Sequence, residues 1–203
     1  MKSLYVTDRR ALPEERFLSV LESLAGAESL SVQLREKDTP DRKVLAWAAT
    51  ARRALGPGVA LYLNRRFDLA LAAEARGVHL PGDGLPPARV RANTPRGFRI
   101  GVSTHSATQA RAAISAGADL VVVGPVFSTP SKAAFGAPLG PVALGDLPPA
   151  RDHEAEVFAI GGISEESLDL LEPYRDRISG VAGIRLFQES PDPGALAARI
   201  AAR

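Results

Sequence analysis

The 203-residue chain contains no cysteine, which excludes a disulfide framework, a thiolate nucleophile and a cysteine-ligated zinc site. Neither sign of charge dominates: 25 basic against 23 acidic residues leave a formal net charge of +2, too near neutrality to suggest a nucleic-acid partner. No window approaches eighteen consecutive apolar residues, so no membrane-spanning helix is expected. Met1 to Asp8 lack the charged-then-apolar layout of a secretory signal, and the expected location is the cytoplasm. Lysine is scarce as well. Lys2, Lys37, Lys43 and Lys132 are the four lysines, and the other basic residues are arginines. Such a composition fits a GC-rich genome or a heat-adapted host, and a lysine retained against it becomes a candidate for function. What remains is the balance of a folded globular protein, 45% hydrophobic and 24% charged, too apolar for a disordered chain.

Short aliphatic runs alternate with amphipathic stretches rich in Ala, Leu and Arg from end to end. The runs predict strands at Leu4–Thr7, Ser29–Leu34, Val59–Leu63, Gly77–Leu80, Phe98–Val102, Leu120–Val123, Glu156–Ile160 and Gly180–Ala182. Helices are expected near 13–25, 40–54, 67–75, 86–92, 106–117, 140–147, 164–173 and 192–202. Thr39-Pro40, Ser106 and the Ser164/Ser167 pair offer N-terminal capping chemistry. Eight strand–helix units predict a parallel α/β fold. A doubly wound sheet would carry a Gly-rich turn after its first strand, where this chain has Thr7-Asp8-Arg9-Arg10. A (β/α)8 TIM barrel is therefore expected, one compact domain over 1–203, about fifty residues below the usual roughly 250. Leu80–Pro87 and Ser128–Pro141 read as long loops after strands.

A barrel carries its chemistry at the C-terminal ends of its strands, and the unusual polar residues fall there. Gln33, Arg35 and Lys37 alternate, which on an extended segment puts them on one face. Two cations and an amide suit a phosphorylated substrate. A solvated loop neutralised by Glu36 and Asp38 is the plainer reading. Gly161-Gly162 and Gly183-Ile184 follow the last two strands, with Arg185 next; they read as a backbone phosphate site or as simple tight turns. Thr129-Pro130-Ser131-Lys132 brings two hydroxyls and a scarce lysine into one loop. His105 and His79 end strands, whereas His153 lies in a polar connector and is expected to be exposed. His105, beside Ser103 and Thr104, is the candidate general acid/base; a hydrogen-bonded structural histidine is the alternative. Asp68 and Asp83 fall at no evident ligand spacing, so no metal site is legible.

These residues, in this order, resemble the thiamine-phosphate synthase superfamily, which includes the thiazole tautomerases called TenI proteins. The resemblance runs through Tyr5-Val6-Thr7-Asp8, Gln33 to Lys37, Asn64 with Arg66 and Asp68, and Gly77-Val78-His79-Leu80. It continues through Gly101 to His105, Gly117-Ala118-Asp119, Gly124 to Phe127, Thr129 to Lys132 and Ala159 to Ile163. It implies a TIM barrel handling the two halves of thiamine phosphate. Gln33, Arg35, Lys37, Asn64, Ser103 and Lys132 would serve a pyrimidine diphosphate. Thr129, Ser131, Gly161, Gly162 and the loop at Gly183, Ile184 and Arg185 would serve a thiazole phosphate.

The synthase pattern also has two aspartates that hold Mg2+ on the pyrophosphate. In their places this chain has Arg65 and Gly84, with Asp83 one position off. The tautomerase branch needs no metal and aromatises the thiazole carboxylate phosphate by proton transfer, a role that His105 would take. The leading expectation is therefore a thiazole tautomerase without cofactor. The alternatives are a thiamine-phosphate synthase, with Mg2+ as its cofactor, and a non-catalytic barrel binding thiazole or pyrimidine phosphates. Small phosphorylated substrates are the expected partners, with no nucleic acid and no membrane; a homodimer is compatible with the sequence.

Overall fold

The computed structural model describes residues 1–129 and 137–203. Its eight strands are β1 (Lys2–Val6), β2 (Leu30–Leu34), β3 (Ala60–Asn64), β4 (Gly77–Leu80), β5 (Arg99–Thr104), β6 (Leu120–Val123), β7 (Glu156–Ile160) and β8 (Gly180–Gly183). They follow one another in chain order as a closed parallel barrel, the predicted fold class. The helices are α1 (Glu14–Ser23), α2 (Asp41–Leu55), α3 (Phe67–Ala72), α4 (Pro87–Arg91), α5 (Ala107–Ser115), α6 (Arg185–Gln188) and α7 (Pro193–Ala201). Among the described residues no helix is long and apolar enough to cross a membrane.

The chain divides into two compact units, one of Met1–His79 with Ile184–Arg203 and one of Leu80–Gly183. In the first, β1, β2 and β3 pair in parallel, with Tyr5 opposite Val32 and Val32 opposite Leu61. Tyr5, Val32, Leu61 and Tyr62 are buried, as are Phe17, Val20 and Leu21 of α1 and Leu196, Ala197 and Ile200 of α7. Full burial of each large apolar side chain contributes about 1.5–3 kcal/mol, so this packing outweighs the capping contributions of about 1 kcal/mol each. In the second unit, β5 to β8 form a ladder running Val102↔Val121, Val121↔Val157 and Ala159↔Val181. Parallel strands buried on both faces read as continuous aliphatic runs, and all four residues of β6 are buried.

Several helix starts follow the sequence and several do not. Ser106 caps α5 by accepting from Gln109 N–H at 3.1 Å, as expected. Asp192 caps α7 through Ala195 N–H at 2.9 Å, with Pro193 in the first turn. Thr39 caps nothing; its hydroxyl donates to Lys37 O at 3.3 Å, and α2 starts after Pro40. Neither 140–147 nor 164–173 is an α-helix. Pro141–Asp146 and Leu168–Tyr174 are 3-10 helices. The first is cut short because Leu147 precedes a proline and is held extended; the second contains Pro173, which lacks a donor. Ser167 accepts from Ser164 N–H at 2.9 Å and donates to Ser164 O at 3.0 Å, closing a local turn. His153, expected to be exposed, is half-buried, and both its ring nitrogens are hidden from solvent without a hydrogen-bond partner among the described residues.

Close helix packing in the first unit depends on Gly194. A Cβ there would stand 2.3 Å from Ser23 O, inside any permitted contact. Gly194→Ala is expected to cost about 1–3 kcal/mol and to lower the melting temperature by several degrees. Gly58→Ala, with nothing within 4 Å of its added methyl, is expected to stay within about 0.5 kcal/mol of wild type. Thermal melts of both variants check the pair, and equal melting temperatures would contradict the packing.

Candidate functional site

The strand ends of the first unit carry a cationic, amide-bearing cluster. Gln33, buried near the end of β2, donates from Nε2 to Asn64 Oδ1 at the end of β3, at 3.2 Å. Beyond β2 the alternation persists for two more residues. Arg35 is half-buried on one side, and Glu36 turns to the other, where its side chain is almost wholly buried. Thr7 Oγ1 donates to Glu36 Oε1 at 2.7 Å and accepts from Arg35 N–H at 3.0 Å. Both Glu36 oxygens also accept from Arg9 N–H at 3.3 Å, and the Arg9 guanidinium lies 5.2 Å from the Trp47 ring centroid. A buried carboxylate persists only where partners replace its water, and Glu36 has them. Among the described residues no ion pair joins it to Arg35. Asp38 pairs with Arg10 at 3.1 Å, and Lys37 is exposed.

The turn after β3 is unusual. Arg65 has φ +65°, a region that disfavours arginine and tolerates Asn or Asp better. Its N–H donates to His79 O at 2.8 Å, and Arg66 N–H donates to Asn64 O at 2.8 Å. Arg66 then forks onto Asp68 at 2.8 and 2.7 Å and onto both oxygens of Asp41 at 3.0 Å. Its hydrogen bonds hold the Asp68 carboxyl below the usual carboxylate range. His79 is buried, and burial together with the charge of Arg35 pushes its pKa down to about 4.

Residues 65 and 84, where the resemblance puts magnesium-binding carboxylates, do not fit a divalent cation. Arg65 is itself a cation, and a side chain at Gly84 would meet Pro81 at 3.0 Å. Asp41 and Asp68 are engaged by Arg66, and among the described residues no group of three or more His, Asp or Glu could hold a metal. A hard cation requires several such oxygens.

The second unit holds the histidine and the glycine-rich ends. His105 is exposed just past β5, and its Nδ1 lies 2.7 Å from Gly124 O. A carbonyl only accepts, so Nδ1 carries a proton, and in the neutral form of the ring Nε2 is the nitrogen with the free lone pair. Its backbone N–H is held by Gln109 Oε1 at 2.7 Å. Ser103 is half-buried within β5 and Thr129 is buried.

Gly161 and Gly162 have φ of +101° and +64°. A Cβ at Gly161 would lie 2.6 Å from Pro125 Cα, one at Gly162 2.5 Å from Ser128 O, and one at Gly124 2.1 Å from Ile160 O. Val126 N–H donates to Ile160 O at 2.8 Å and Phe127 N–H to Gly161 O at 2.9 Å. Packing of the loops after β6 and β7 thus accounts for these glycines sterically. The N–H groups of Gly161 and Gly162 donate to no backbone carbonyl among the described residues.

Gly183 is buried at the end of β8, and Ile184 leads directly into α6, whose first residue is the exposed Arg185. At four residues, α6 is too short to leave a periodic pattern in the sequence. Ser131 and Lys132 lie outside the described residues. A cavity of about 340 Å³ is lined by Ser106, Thr108, Arg111, Leu139 and Asp146 among others; none of them is a site candidate.

The sequence pattern of a family described as "Thiamine monophosphate synthase" matches residues 4–187. A Geobacter sulfurreducens protein with a provisional thiamine-phosphate synthase name is 42% identical over 193 residues, 94% of this chain and 89% of its own. The thiamine-phosphate synthase of Roseiflexus castenholzii is 36% identical, over 94% of this chain and 82% of its own. Among solved structures, a thiamine phosphate pyrophosphorylase from Pyrococcus furiosus superposes with a TM-score of 0.82 at 25% identity, covering 99% of this chain and 94% of that one.

The buried His79 makes stability depend on pH. Below its ordinary value of 6.5 the unfolded chain takes up a proton that the folded protein refuses until about pH 4. Stability is therefore expected to fall as pH drops through this window, by up to about 3 kcal/mol from this group. Urea denaturation of wild type and His79→Gln from pH 7 to 4.5 checks it. The variant should lose part of the slope, and an identical slope would contradict the assignment.

Proposed function

Since the chain belongs to the thiamine monophosphate synthase family, we propose that it is a thiamine-phosphate synthase. The supporting observation is likeness along nearly its whole length to relatives carrying that name. This reading takes precedence over the tautomerase expected from sequence. In the reaction the bond between the pyrimidine methylene carbon and the diphosphate oxygen breaks. The thiazole ring nitrogen forms a bond to that carbon, and pyrophosphate leaves with the bonding pair.

The cluster of Gln33, Arg35, Lys37 and Asn64 suits the pyrimidine diphosphate, with Ser103 and Lys132 as further candidates. A guanidinium binds phosphate oxygens in a forked geometry, and the Gln33–Asn64 hydrogen bond fixes two amides beside it. The amides of Gly161 and Gly162, which donate to no backbone carbonyl among the described residues, are assigned with Thr129, Ser131, Gly183, Ile184 and Arg185 to the thiazole phosphate. Backbone N–H groups recognise phosphate by fixed dipoles. Both substrates are small and phosphorylated.

A thiazole tautomerase is the second reading. It is favoured by Arg65 and Gly84 standing where the synthase pattern has carboxylates, and by the Nδ1 bond that prepares His105 Nε2 as a base. A histidine so fixed removes a proton from one ring position and returns it at another. One assay series separates the readings. Given the pyrimidine diphosphate and the thiazole phosphate, the purified protein is expected to release thiamine phosphate and pyrophosphate. No product, combined with rapid isomerisation of the thiazole carboxylate tautomer that His105→Gln slows about 10²–10⁴-fold, would overturn the synthase in favour of the tautomerase. No turnover of either substrate would leave a phosphate-binding barrel.

A further inference from the structure

The disagreement between the magnesium pattern and the residues present is informative, because the first unit replaces the missing ligands with a cation. Its strand-end carboxylates are largely accounted for. Glu36 is held by Thr7 and Arg9, Asp38 by Arg10, and Asp41 and Asp68 by Arg66. No ion pair joins Arg35 or Arg65 to a carboxylate among the described residues. Counted with Asp8, which follows β1, these two guanidiniums still leave the strand ends of this unit with an excess of formal positive charge.

The two arginines also share a neighbourhood. Arg65 N–H is bonded to His79 O, and Arg35 is close enough to His79 for its charge to act on the imidazole. Between their positions runs the Gln33–Asn64 link across β2 and β3. The left-handed backbone at Arg65 is pinned on both sides by its own bond to His79 and by that of Arg66 to Asn64. Its side chain is exposed, and no hydrogen bond or ion pair engages it among the described residues.

We propose that Arg65, with Arg35, makes the ends of β2 and β3 a binding site for pyrophosphate groups that requires no divalent cation. This rests on the family reading for the identity of the anion, and it assigns to Arg65 the charge neutralisation that the synthase pattern gives to carboxylates through a metal. Two guanidiniums supply the positive charge, and their N–H groups bind the oxygens directly.

The test is calorimetric titration of the intact protein with inorganic pyrophosphate in excess EDTA, without the second substrate. Binding is expected, weakened by added salt. Loss of a charge-assisted hydrogen bond predicts a fall of about 10- to 100-fold for Arg65→Ala, with Arg65→Lys recovering part of it. Arg65→Asp should abolish binding in EDTA. Since Arg65 is exposed, unchanged melting temperatures serve as the folding control; if Arg65→Ala melts early, the comparison of wild type with Arg65→Lys still reads the effect. Binding only when Mg2+ is present, no binding in either condition, or equal affinity for wild type and Arg65→Ala would each overturn the inference. Thiamine phosphate formation is scored separately. Tight pyrophosphate binding in EDTA without product would keep this inference and remove the synthase reading. Product formed only with Mg2+-dependent pyrophosphate binding would do the reverse.

Discussion

Parallel pairing between neighbouring strands is the constraint from which the rest follows. A parallel ladder sends every chain out of the sheet at the same end, and each return must be made by a helix or long connection on the outside. The loops that follow strands are therefore free of the work of closing hairpins and can carry chemistry. In the first unit this places Thr7, Arg35, Asn64 and His79 at successive strand ends. In the second it places His105, Gly124 and Gly161 likewise. Backbone packing then fixes these loops tightly, as at Gly124 against Ile160 and Gly162 against Ser128, so that polar groups are held before any ligand arrives.

Much of this was legible in the chain. Gly77–Leu80, Leu120–Val123 and Glu156–Ile160 read correctly to the residue; Leu120–Val123 is the clearest, because a strand buried on both faces leaves an uninterrupted aliphatic signal. Ser106 was readable as a cap because capping is local. The stretches at 140–147 and 164–173 misled because their apolar spacing is helical, whereas Pro148 and Pro173 interrupt any longer helix and the chain forms 3-10 turns there. The fate of Glu36 was not legible: its partner Thr7 lies 29 positions away, and nothing nearby in sequence marks the carboxylate as turned inward. His153 failed for a related reason, since polar neighbours suggested solvent where tertiary packing hides both ring nitrogens.

The same contrast governs function. Overall likeness points to a thiamine-phosphate synthase, and two positions point away from the metal chemistry of that pattern. Cationic strand ends would reconcile the two: Arg65, held at φ +65°, and Arg35, which no ion pair engages among the described residues, would supply directly the charge that carboxylates recruit through a metal. The orientation of the His105 ring is common to both readings, as its Nδ1 is held by Gly124 O and not by any ligand.

The central claim is that this unit binds diphosphate through arginine in place of metal. A crystal structure of the protein grown with pyrophosphate in EDTA tests it most directly. The account predicts phosphate oxygens about 3 Å from the guanidinium nitrogens of Arg35 and Arg65, at the ends of β2 and β3. Pyrophosphate bound elsewhere, or bound there with Arg65 turned away to solvent, would contradict it.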